Sequence, residues 1–471
     1  MKLSSLLEVF PGAKVFGSKE KEIKYITDNS FDVKKDSLFV AIKGERFDGH
    51  NFIDEAKKKG AVCICLEDKK YITDDAAFIL VDDSRKALSL IAQKFFDTFS
   101  LDMIGITGTN GKTTTAFLIE KIFSKAGIPI SRLSTVGHMI QREEIPAKQT
   151  TPSPIELQSL LSKAKDGGAK FVVMEVSSHS LSQDRVYGIR FKDAIFTNLD
   201  EDHLDYHKTK KNYMLCKKKL FLSQDRDCRA FVNVDDPFWK EITKGIKSRV
   251  ITYGIDNKAE IKAENIYEGK DGISFSIGKE RIKIPFYGRY NIYNALAGIG
   301  VAMYNGISID IIKDACSSFS LPPGRFEIIN RNPFVIIDYA HTPDALYNTL
   351  STCLKLSSNT IVVFGCGGER DKEKRPKMGK IACDLSSLAI VTSDNPRGED
   401  LDIIINEIEK GMEKKHIRIK DRYEAIKKAI SLAGKNDLVL IAGKGHEDYQ
   451  IIGDKKTHFN DKEVALEILK K

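Results

Sequence analysis

The sequence predicts an α/β fold of three domains, and two observations carry that prediction. Short apolar runs of strand length alternate with helix-compatible stretches along most of the chain, which is typical of largely parallel sheets. The chain has 471 residues, too many for a single core, and its length suggests about three domains. We place these domains at residues 1–100, 101–325 and 326–471.

The composition is that of an ordinary globular protein. Hydrophobic residues make up 42% of the chain and charged residues 30%, which excludes the disordered and fibrous classes. The net charge of +8 comes from lysines spread along the chain rather than from one basic arm, so we expect no nucleic-acid partner. The eight cysteines include no Cys-x-x-Cys pair, and we find neither a signal peptide nor a run of about 18 apolar residues. We therefore expect reduced thiols, a cytoplasmic location and no membrane partner.

Residues 1–100 predict a small α/β domain with its own core. Strands are expected at 38–42, 61–65 and 77–81, and helices at 53–59 and 85–96. The segment contains no phosphate-binding loop, so we expect this domain to bind a ligand rather than to carry the chemistry.

A loop that binds nucleotide phosphates is predicted near the start of the central domain. A strand-like apolar run leads into residues 108–115, whose glycines and threonines precede a helix expected at 112–126. Backbone amides and the helix N-terminus offer partial positive charge to a polyanion. Lys112 would reach the β and γ phosphate oxygens, and the hydroxyl of Thr113 would bind Mg²⁺. The loop is a shorter form of the general motif, because Ile106 occupies the place of its first glycine.

The rest of the central domain is predicted to extend a mostly parallel sheet. Strands are expected at 171–176, 194–197 and 230–233, an antiparallel addition at 247–290, and a closing helix at 293–304. In such sheets, ligands gather at the carboxyl ends of the strands.

Three polar clusters in this domain are candidates for the chemistry. Glu175 ends one of these strands, where its carboxylate could share Mg²⁺ with Thr113, the alternative being that it caps a helix. His203 and His207 lie four apart and could share a helical face, which alone is a weak indication of zinc. Beside a nucleotide, His203 is better interpreted as a Mg²⁺ ligand or as the support of one. The lysine run at 217–219, taken alone, indicates a solvent-facing helix surface.

The alternation of strands and helices restarts after residue 325. Apolar runs at 334–338, 360–364, 388–392 and 438–442 predict buried parallel strands, and polar clusters follow at 365–371, 394–397 and 443–447. Arginines with carboxylates between them could bind a zwitterion, since guanidinium grips a carboxylate at two points and Asp or Glu holds an ammonium. Surface loops of this composition are also common, so the residues alone leave both interpretations open.

Together these stretches closely resemble the Mur ligases of bacterial cell-wall synthesis, over nearly the whole chain. The landmarks stand in that family's order at residues 108–114, 175–179, 202–207, 288–294 and 338–343. Within the family, the chain is most similar to the members that add the third residue of the stem peptide to UDP-N-acetylmuramoyl-L-alanyl-D-glutamate. Residues 394–397 resemble the form that accepts meso-diaminopimelate.

The resemblance implies an ATP-dependent, ADP-forming acid–amino-acid ligase. ATP would phosphorylate the γ-carboxylate of D-glutamate, and an amine would attack the acyl phosphate to form an amide. The implied catalytic residues are Lys112, Glu175, His203 and Lys217. Of these, Lys217 would carry a carbamate (N6-carboxylysine), and the Mg²⁺ ligands would be Thr113, Glu175, His203 and the modified Lys217.

The resemblance also implies three sets of binding residues, with one domain for UDP, a P-loop-type domain for ATP and a Rossmann-like domain for the amino acid. The ATP set is Gly108, Thr109, Asn110, Gly111, Lys112, Thr113, Thr114, Asn294, Arg325, Asp338 and His341. The set for the UDP-linked dipeptide is Ser30, Thr150, Thr151, Ser177, Gln183 and Arg185. The diaminopimelate set is Arg370, Asp394, Asn395, Pro396, Arg397, Gly443 and Glu447. We expect a monomer whose domains close about a hinge near Arg325.

Two departures and three alternatives accompany the resemblance. The family's usual Asp-Ser-Arg reads Asn29-Ser30-Phe31 here, and Ser180 replaces a common glycine. The acceptor could instead be L-lysine or meso-lanthionine. The chain could also be a ligase like folylpolyglutamate synthase, or a nucleotide-binding module without activity.

Overall fold

The computed structural model describes residues 1–10, 13–44, 47–269 and 271–470. Its three large sheets each carry a separate apolar cluster on either face, so each forms the middle layer of an α/β unit. The predicted fold class is confirmed. In these described ranges, no helix is long and apolar enough to cross a bilayer.

The first sheet has five strands in the order β1-β5-β4-β3-β2, and only β1 runs antiparallel to its neighbour. In chain order its unit contains α1 (Leu3–Leu6), β1 (Lys14–Phe16), β2 (Tyr25–Thr27), β3 (Ser37–Val40), α2 (Ile53–Lys58), β4 (Ala61–Leu66), β5 (Ala77–Leu80) and α3 (Ser84–Phe96). The strands and helices predicted here are all present, and β1 and β2 are additional because they are too short to show a pattern.

The second sheet has nine strands in the order β14-β13-β12-β11-β6-β10-β7-β8-β9, parallel except at β8 and β9. Its strands are β6 (Asp102–Thr107), β7 (Ile130–Leu133), β8 (His138–Ile140), β9 (Glu143–Ile145), β10 (Phe171–Glu175), β11 (Phe191–Phe196), β12 (Arg229–Asn233), β13 (Arg249–Gly254) and β14 (Ile261–Lys262). The helices that accompany it are α4 (Lys112–Lys125), α5 (Pro154–Asp166), α6 (Ser178–Ser182), α7 (Leu204–His207), α8 (Lys210–Leu222), α9 (Trp239–Thr243), α10 (Arg289–Tyr304) and α11 (Ile309–Ser317).

The antiparallel addition predicted at 247–290 is only partly correct. β13 and β14 extend the parallel sheet, whereas β15 (Glu264–Gly269), β16 (Gly272–Ile277) and β17 (Glu280–Ile284) form a separate antiparallel sheet. The error has a physical reason. β13 buries Ile251 and Tyr253 but leaves Arg249 exposed, and this alternation is what a half-buried antiparallel strand also shows.

The third large sheet has six strands in the order β18-β19-β23-β20-β21-β22, parallel except at β18. Its unit contains β18 (Glu327–Arg331), β19 (Phe334–Asp338), α12 (Pro343–Leu356), β20 (Thr360–Phe364), α13 (Lys374–Asp384), β21 (Leu388–Val391), α14 (Leu401–Glu409), β22 (Ile417–Arg418), α15 (Arg422–Leu432) and β23 (Leu438–Ala442). A hairpin of β24 (Tyr449–Ile452) and β25 (Lys455–His458) precedes α16 (Asp461–Leu469).

A buried ion pair fixes the carboxyl ends of this third sheet. Arg422 and Asp461 are fully buried and form two hydrogen bonds of 2.7 Å. The same guanidinium donates to the carbonyls of Ser393 and Ala442, at 3.1 and 3.0 Å. Since these carbonyls lie where β21 and β23 end, the pair holds the points from which the predicted amino-acid loops leave the sheet.

Candidate functional site

A cleft of about 480 Å³ lies between the carboxyl ends of the central sheet and the C-terminal domain. Its lining includes residues 109–114, Glu175, His203, Asn294, Arg325, Asp338 and His341, so most of the predicted ATP and metal residues meet there. The two domains contact each other across it. Asn110 Nδ2 donates to Asp344 Oδ2 at 3.0 Å, and Arg325, at the boundary between the two domains, donates from Nη2 to Thr113 Oγ1 at 3.3 Å.

The predicted phosphate loop joins β6 to α4 and is shaped by two glycines. Gly111 precedes the helix with φ of +86°, and a Cβ there would lie 2.2 Å from Asn294 Oδ1. A Cβ on Gly108 would lie 1.8 Å from Thr197 Oγ1. Asn198 accepts from the backbone N of Asn110 at 2.9 Å. Helix α10 and the segment after β11 therefore hold the loop so closely that no side chain fits at either glycine.

We expect Gly111→Ala to weaken nucleotide binding by about tenfold or more, because its Cβ must displace Asn294 and its φ is unfavourable for alanine. Gly127→Ala is the matched control. Gly127 follows the same helix with φ of +72°, but its Cβ would meet nothing within 4 Å. Calorimetric titration with ATP should separate the two variants, and equal affinities would contradict this account of the loop.

Two buried lysines meet at one carbonyl of this loop. Lys112 Nζ donates to the carbonyls of Gly108 and Thr109, at 2.9 and 2.8 Å, and Lys217 Nζ donates to that of Gly108 at 2.8 Å. Lys217 is only 1% exposed and lies 4.3 Å from the centre of the Tyr213 ring. Burial lowers the pKa of both amines, and the charge of Lys112 lowers the pKa of Lys217 further. The solvent-facing helix surface that the lysine run suggests is therefore wrong for Lys217.

Glu175 ends β10 inside the cleft and is held by one residue that the sequence analysis missed. The backbone N of Thr135 donates to Glu175 Oε1 at 2.9 Å, and Thr135 Oγ1 donates to Oε2 at 3.1 Å. The helix-capping alternative is wrong, since α6 is capped by Ser177, which accepts from the backbone N of Ser180. Glu175 is instead a buried carboxylate facing the cleft.

His203 and His207 do not share a helix face, so the zinc interpretation is wrong. α7 comprises residues 204–207, and His203 lies just before it with φ of +54°. His203 Nε2 lies 3.3 Å from Asp202 Oδ2, and burial lowers the pKa of His203 to about 4. Asp202 also lines the cleft and was not singled out from the sequence.

The possible metal ligands in the cleft suit Mg²⁺ better than a metal whose ligands all come from protein side chains. No group of three His, Cys, Asp or Glu side chains able to hold a metal occurs in the described ranges. Glu175 and Thr113 provide oxygen ligands, and Mg²⁺ commonly completes its shell with water and substrate phosphates. A carbamate on Lys217 would add an anionic oxygen, whereas the unmodified amine offers no charge of the right sign.

The remaining ATP residues lie at the junction of the two domains. Asp338 is buried and accepts from the backbone N of Phe326 and of Ala340, at 2.6 and 2.8 Å. The Arg325 guanidinium lies 4.3 Å from the centre of the Tyr339 ring. His341 Nδ1 lies 2.8 Å from the Tyr339 carbonyl. Residues 325–326 and 338–341 thus form the junction of the two domains and also line the cleft.

Five of the six residues predicted for the UDP-linked dipeptide lie together beyond the end of β10. Thr151 Oγ1 donates to the Glu175 carbonyl at 2.9 Å and accepts from the backbone N of Ser177 at 3.0 Å. Arg185 donates to the carbonyl of Thr151 at 2.8 Å and to Gln183 Oε1 at 2.7 Å. The hydroxyl oxygens of Thr150 and Thr135 lie 3.1 Å apart, within hydrogen-bond distance. Ser30 lies in the first domain and makes none of these contacts within the described part of the chain.

The diaminopimelate residues lie on three loops that follow β20, β21 and β23. Asn395 Nδ2 donates to Glu447 Oε2 at 2.9 Å, and Arg397 Nη1 donates to the carbonyl of Gly368 at 2.7 Å. Lys444, which is fully buried and was not predicted, lies 3.3 Å from Glu447 Oε2. A Cβ on Gly443 would lie 2.9 Å from Asp394 Oδ2. The buried Asn395 and Lys444 set these loops apart from ordinary surface loops.

The electrostatics of these loops suit a zwitterion. Arg370 and Arg397 are neighbours, since a Cβ on Gly367 would lie 3.0 Å from Arg397 Nη1 and 3.7 Å from Arg370 Cγ. Burial and the charge of Arg370 lower the pKa of Arg397. Burial and the charge of Asp394 raise the pKa of Glu447. An ammonium would favour the two carboxylates and a carboxylate would favour the two arginines. A ligand with both groups would therefore relieve both repulsions.

Comparison with known families matches consecutive parts of the chain. Three family models match. The model described as "Mur ligase family, catalytic domain" matches residues 22–96, that of the "Mur ligase middle domain" matches residues 106–302, and that of the "Mur ligase, glutamate ligase domain" matches residues 324–445.

Similar proteins share most of the chain. It is 44% identical over 467 residues to the UDP-N-acetylmuramoyl-L-alanyl-D-glutamate--2,6-diaminopimelate ligase of Clostridium botulinum, with 96% of each chain covered. It is 46% identical over 459 residues to the ligase of the same name from Aquifex aeolicus, which covers 95% of this chain and 94% of that one. A solved structure of a ligase with this name is 29% identical with a TM-score of 0.72, covering 100% of this chain and 99% of that one. A MurF ligase from Thermotoga maritima, solved in complex with ADP, is 22% identical with a TM-score of 0.66 over 95% and 97% of the two chains.

Proposed function

The chain belongs to the Mur ligase family, and from that premise we propose that it joins meso-diaminopimelate to the γ-carboxylate of D-glutamate in UDP-N-acetylmuramoyl-L-alanyl-D-glutamate. It is an ATP-dependent amide ligase of peptidoglycan precursor synthesis. One observation carries the choice of acceptor: two arginines and two carboxylates lie on three neighbouring loops of the C-terminal domain. We propose a cytoplasmic location, and also a monomer, because all three proposed binding sets lie on one chain.

Phosphoryl transfer from ATP takes place at the loop of residues 108–114. Lys112 now donates to two carbonyls of its own loop, and phosphate oxygens would replace them as acceptors. With the loop amides, it stabilises the charge on the transferring phosphoryl group. Mg²⁺, held by Thr113, Glu175, His203 and the modified Lys217, would neutralise phosphate charge.

The surroundings of Lys217 support the proposal that it carries a carbamate. Burial and the neighbouring charge of Lys112 favour the neutral amine, which is the form that attacks CO₂. The N–C bond forms, one proton leaves the nitrogen, and the neutral amine becomes an anion. This anion and the ammonium of Lys112 attract each other, and the anion would serve as a ligand of the proposed Mg²⁺.

Amide formation needs an amine placed against the acyl phosphate. Asp394 and Glu447 hold the ammonium of one amino-acid centre of diaminopimelate, and Arg370 and Arg397 bind carboxylates of the same molecule. The other amino group, once deprotonated, attacks the acyl carbon. The C–N bond forms, the bond from carbon to the phosphate oxygen breaks, and inorganic phosphate leaves. Residues of two domains therefore have to meet, and the contact of Asn110 with Asp344 supports this because it joins the central and C-terminal domains.

We expect phosphate release from ATP to require both the UDP-linked dipeptide and meso-diaminopimelate, and to stop when Mg²⁺ is chelated. A coupled phosphate assay with each component omitted in turn measures this. L-lysine, meso-lanthionine, and a pteroate with glutamate serve as alternative substrates. Equal rates with lysine would contradict the proposed acceptor. Activity only with the pteroate and glutamate would contradict the proposed function and indicate a folylpolyglutamate synthase instead.

A further inference from the structure

Arg375 and Glu399 connect two of the loops that carry the proposed acceptor residues. The buried Arg375, near the start of α13, donates to both carboxylate oxygens of Glu399, at 3.0 and 3.2 Å. It also donates to the carbonyl of Gly367 at 3.1 Å. Glu399 accepts in turn from the backbone N of Glu369. Gly367 and Glu369 belong to the loop after β20 and Glu399 to the loop after β21, so one ion pair fastens the two loops together.

The same two loops are in direct backbone contact beside this ion pair. The backbone N of Gly368 donates to the carbonyl of Asn395 at 2.9 Å, and a Cβ on Gly368 would lie 1.9 Å from the carbonyl oxygen of Pro396. Arg397 Nη1 donates to the carbonyl of Gly368. The position of the Arg397 side chain thus depends on the spacing of the loops.

The backbone conformation of the loops also needs support. Glu369 and Arg397 have φ of +54° and +52°, in the left-handed region that non-glycine residues seldom adopt. Such residues persist only where their surroundings hold them. Glu369 lies directly before Arg370, the second proposed acceptor arginine. The hydrogen bond from the Glu369 backbone N to Glu399 therefore helps to fix the backbone that leads into Arg370.

Glu399 stays charged over the whole working range of pH. The hydrogen bonds from Arg375 lower its pKa to about 2. Arg375 has a second carboxylate partner, Glu407, whose Oε2 accepts from Nη1 at 2.7 Å. Among the described residues, Glu407 makes no hydrogen bond to either loop. The two glutamates therefore both bind the Arg375 guanidinium, but only Glu399 also accepts a hydrogen bond from an acceptor loop among the described residues.

We propose that Arg375 and Glu399 are positioning residues for the acceptor amino acid, which hold the two loops at the spacing at which Arg370 and Arg397 bind its carboxylates. Neither residue is proposed to touch a substrate. The inference rests on the proposed function, since it takes the acceptor to be an amino acid with carboxylates at this pocket.

The test compares Glu399→Gln with Glu407→Gln in the full-length enzyme. We expect Glu399→Gln to raise KM for meso-diaminopimelate by about tenfold or more, because an error of about 1 Å in the binding groups has effects of that size. KM for ATP and for the UDP-linked dipeptide should stay within about twofold, since those sites lie on other elements. Glu407→Gln removes a charge from the same guanidinium and should leave all three KM values within about twofold.

Equal increases in KM for meso-diaminopimelate in the two variants would overturn the inference, as would a rise in all three KM values for Glu399→Gln. The Tm of both variants is measured alongside. If Glu399→Gln lowers Tm more than Glu407→Gln does, Glu399→Asp must show the same selective rise, because it keeps the charge but shortens the reach. A wild-type enzyme that ignores meso-diaminopimelate would count against the proposed function itself, and would do so before any variant is made.

Discussion

Lys217→Ala is expected to lose ligase activity by about a hundredfold or more, because the proposed carbamate, which would help hold Mg²⁺ beside the transferring phosphoryl group, can no longer form. Small carboxylates such as formate or acetate should restore part of the activity, since the alanine leaves room beside the Gly108 carbonyl and the Tyr213 ring. Phosphate release at saturating substrates, with and without added carboxylate, measures both effects. The recovery should saturate with carboxylate concentration, as binding to a site does.

The matched control for that prediction is Lys218→Ala. Lys218 is adjacent on α8, but its amine donates to the carbonyl of Glu241, away from the cleft. We expect near wild-type activity from it and no response to carboxylates. A carbamate signal in the carbon NMR spectrum of enzyme treated with labelled bicarbonate should be present in Lys218→Ala and absent in Lys217→Ala. A fully active Lys217→Ala would refute the role, and its failure to respond to any carboxylate would argue against the carbamate.

Four of the six strands of the C-terminal sheet, β19, β20, β21 and β23, could be predicted almost residue by residue. β19, β20 and β23 are continuous apolar runs because both of their faces are buried. β18 could not be predicted, since this edge strand is mostly half-buried and shows neither a run nor an alternation. The burial pattern also explains the error at β13. Its alternating burial indicated a strand correctly, but it suggested antiparallel pairing, whereas β13 pairs with β12 in parallel.

The site residues also differ in whether the sequence alone could single them out. Lys112 and Thr113 belong to a local motif, so the sequence alone could single them out, and both line the cleft. Thr135 has no such motif, and only the pairing of β7 with β10 brings it to Glu175, 40 residues along the chain. The burial of Lys217 was equally invisible, because a lysine run on α8 exposes Lys219 while burying its neighbour two positions earlier. Local patterns thus identify groups that bind ligands, whereas the groups that hold them depend on tertiary packing.

Arg397→Leu is expected to reduce the preference for meso-diaminopimelate over L-lysine by about tenfold to a hundredfold. A hydrogen bond to a charged group contributes about 1.5–3 kcal/mol, and lysine lacks the carboxylate that this arginine is proposed to bind. The measurement is kcat/KM for both amino acids with the UDP-linked dipeptide and ATP saturating. The loss should fall on meso-diaminopimelate, while kcat/KM for lysine stays level or rises.

The control is Arg418→Leu, which removes the same charge from the same domain. Arg418 forms ion pairs with Asp402 and Glu409 at the edge strand β22 and makes no contact with the three acceptor loops in the described chain. Its preference should equal that of the wild type. If Arg397→Leu lowered kcat/KM for both amino acids alike, the arginine would bind a carboxylate that the two share. The choice of acceptor would then have to come from Arg370, which is the other guanidinium in the pocket.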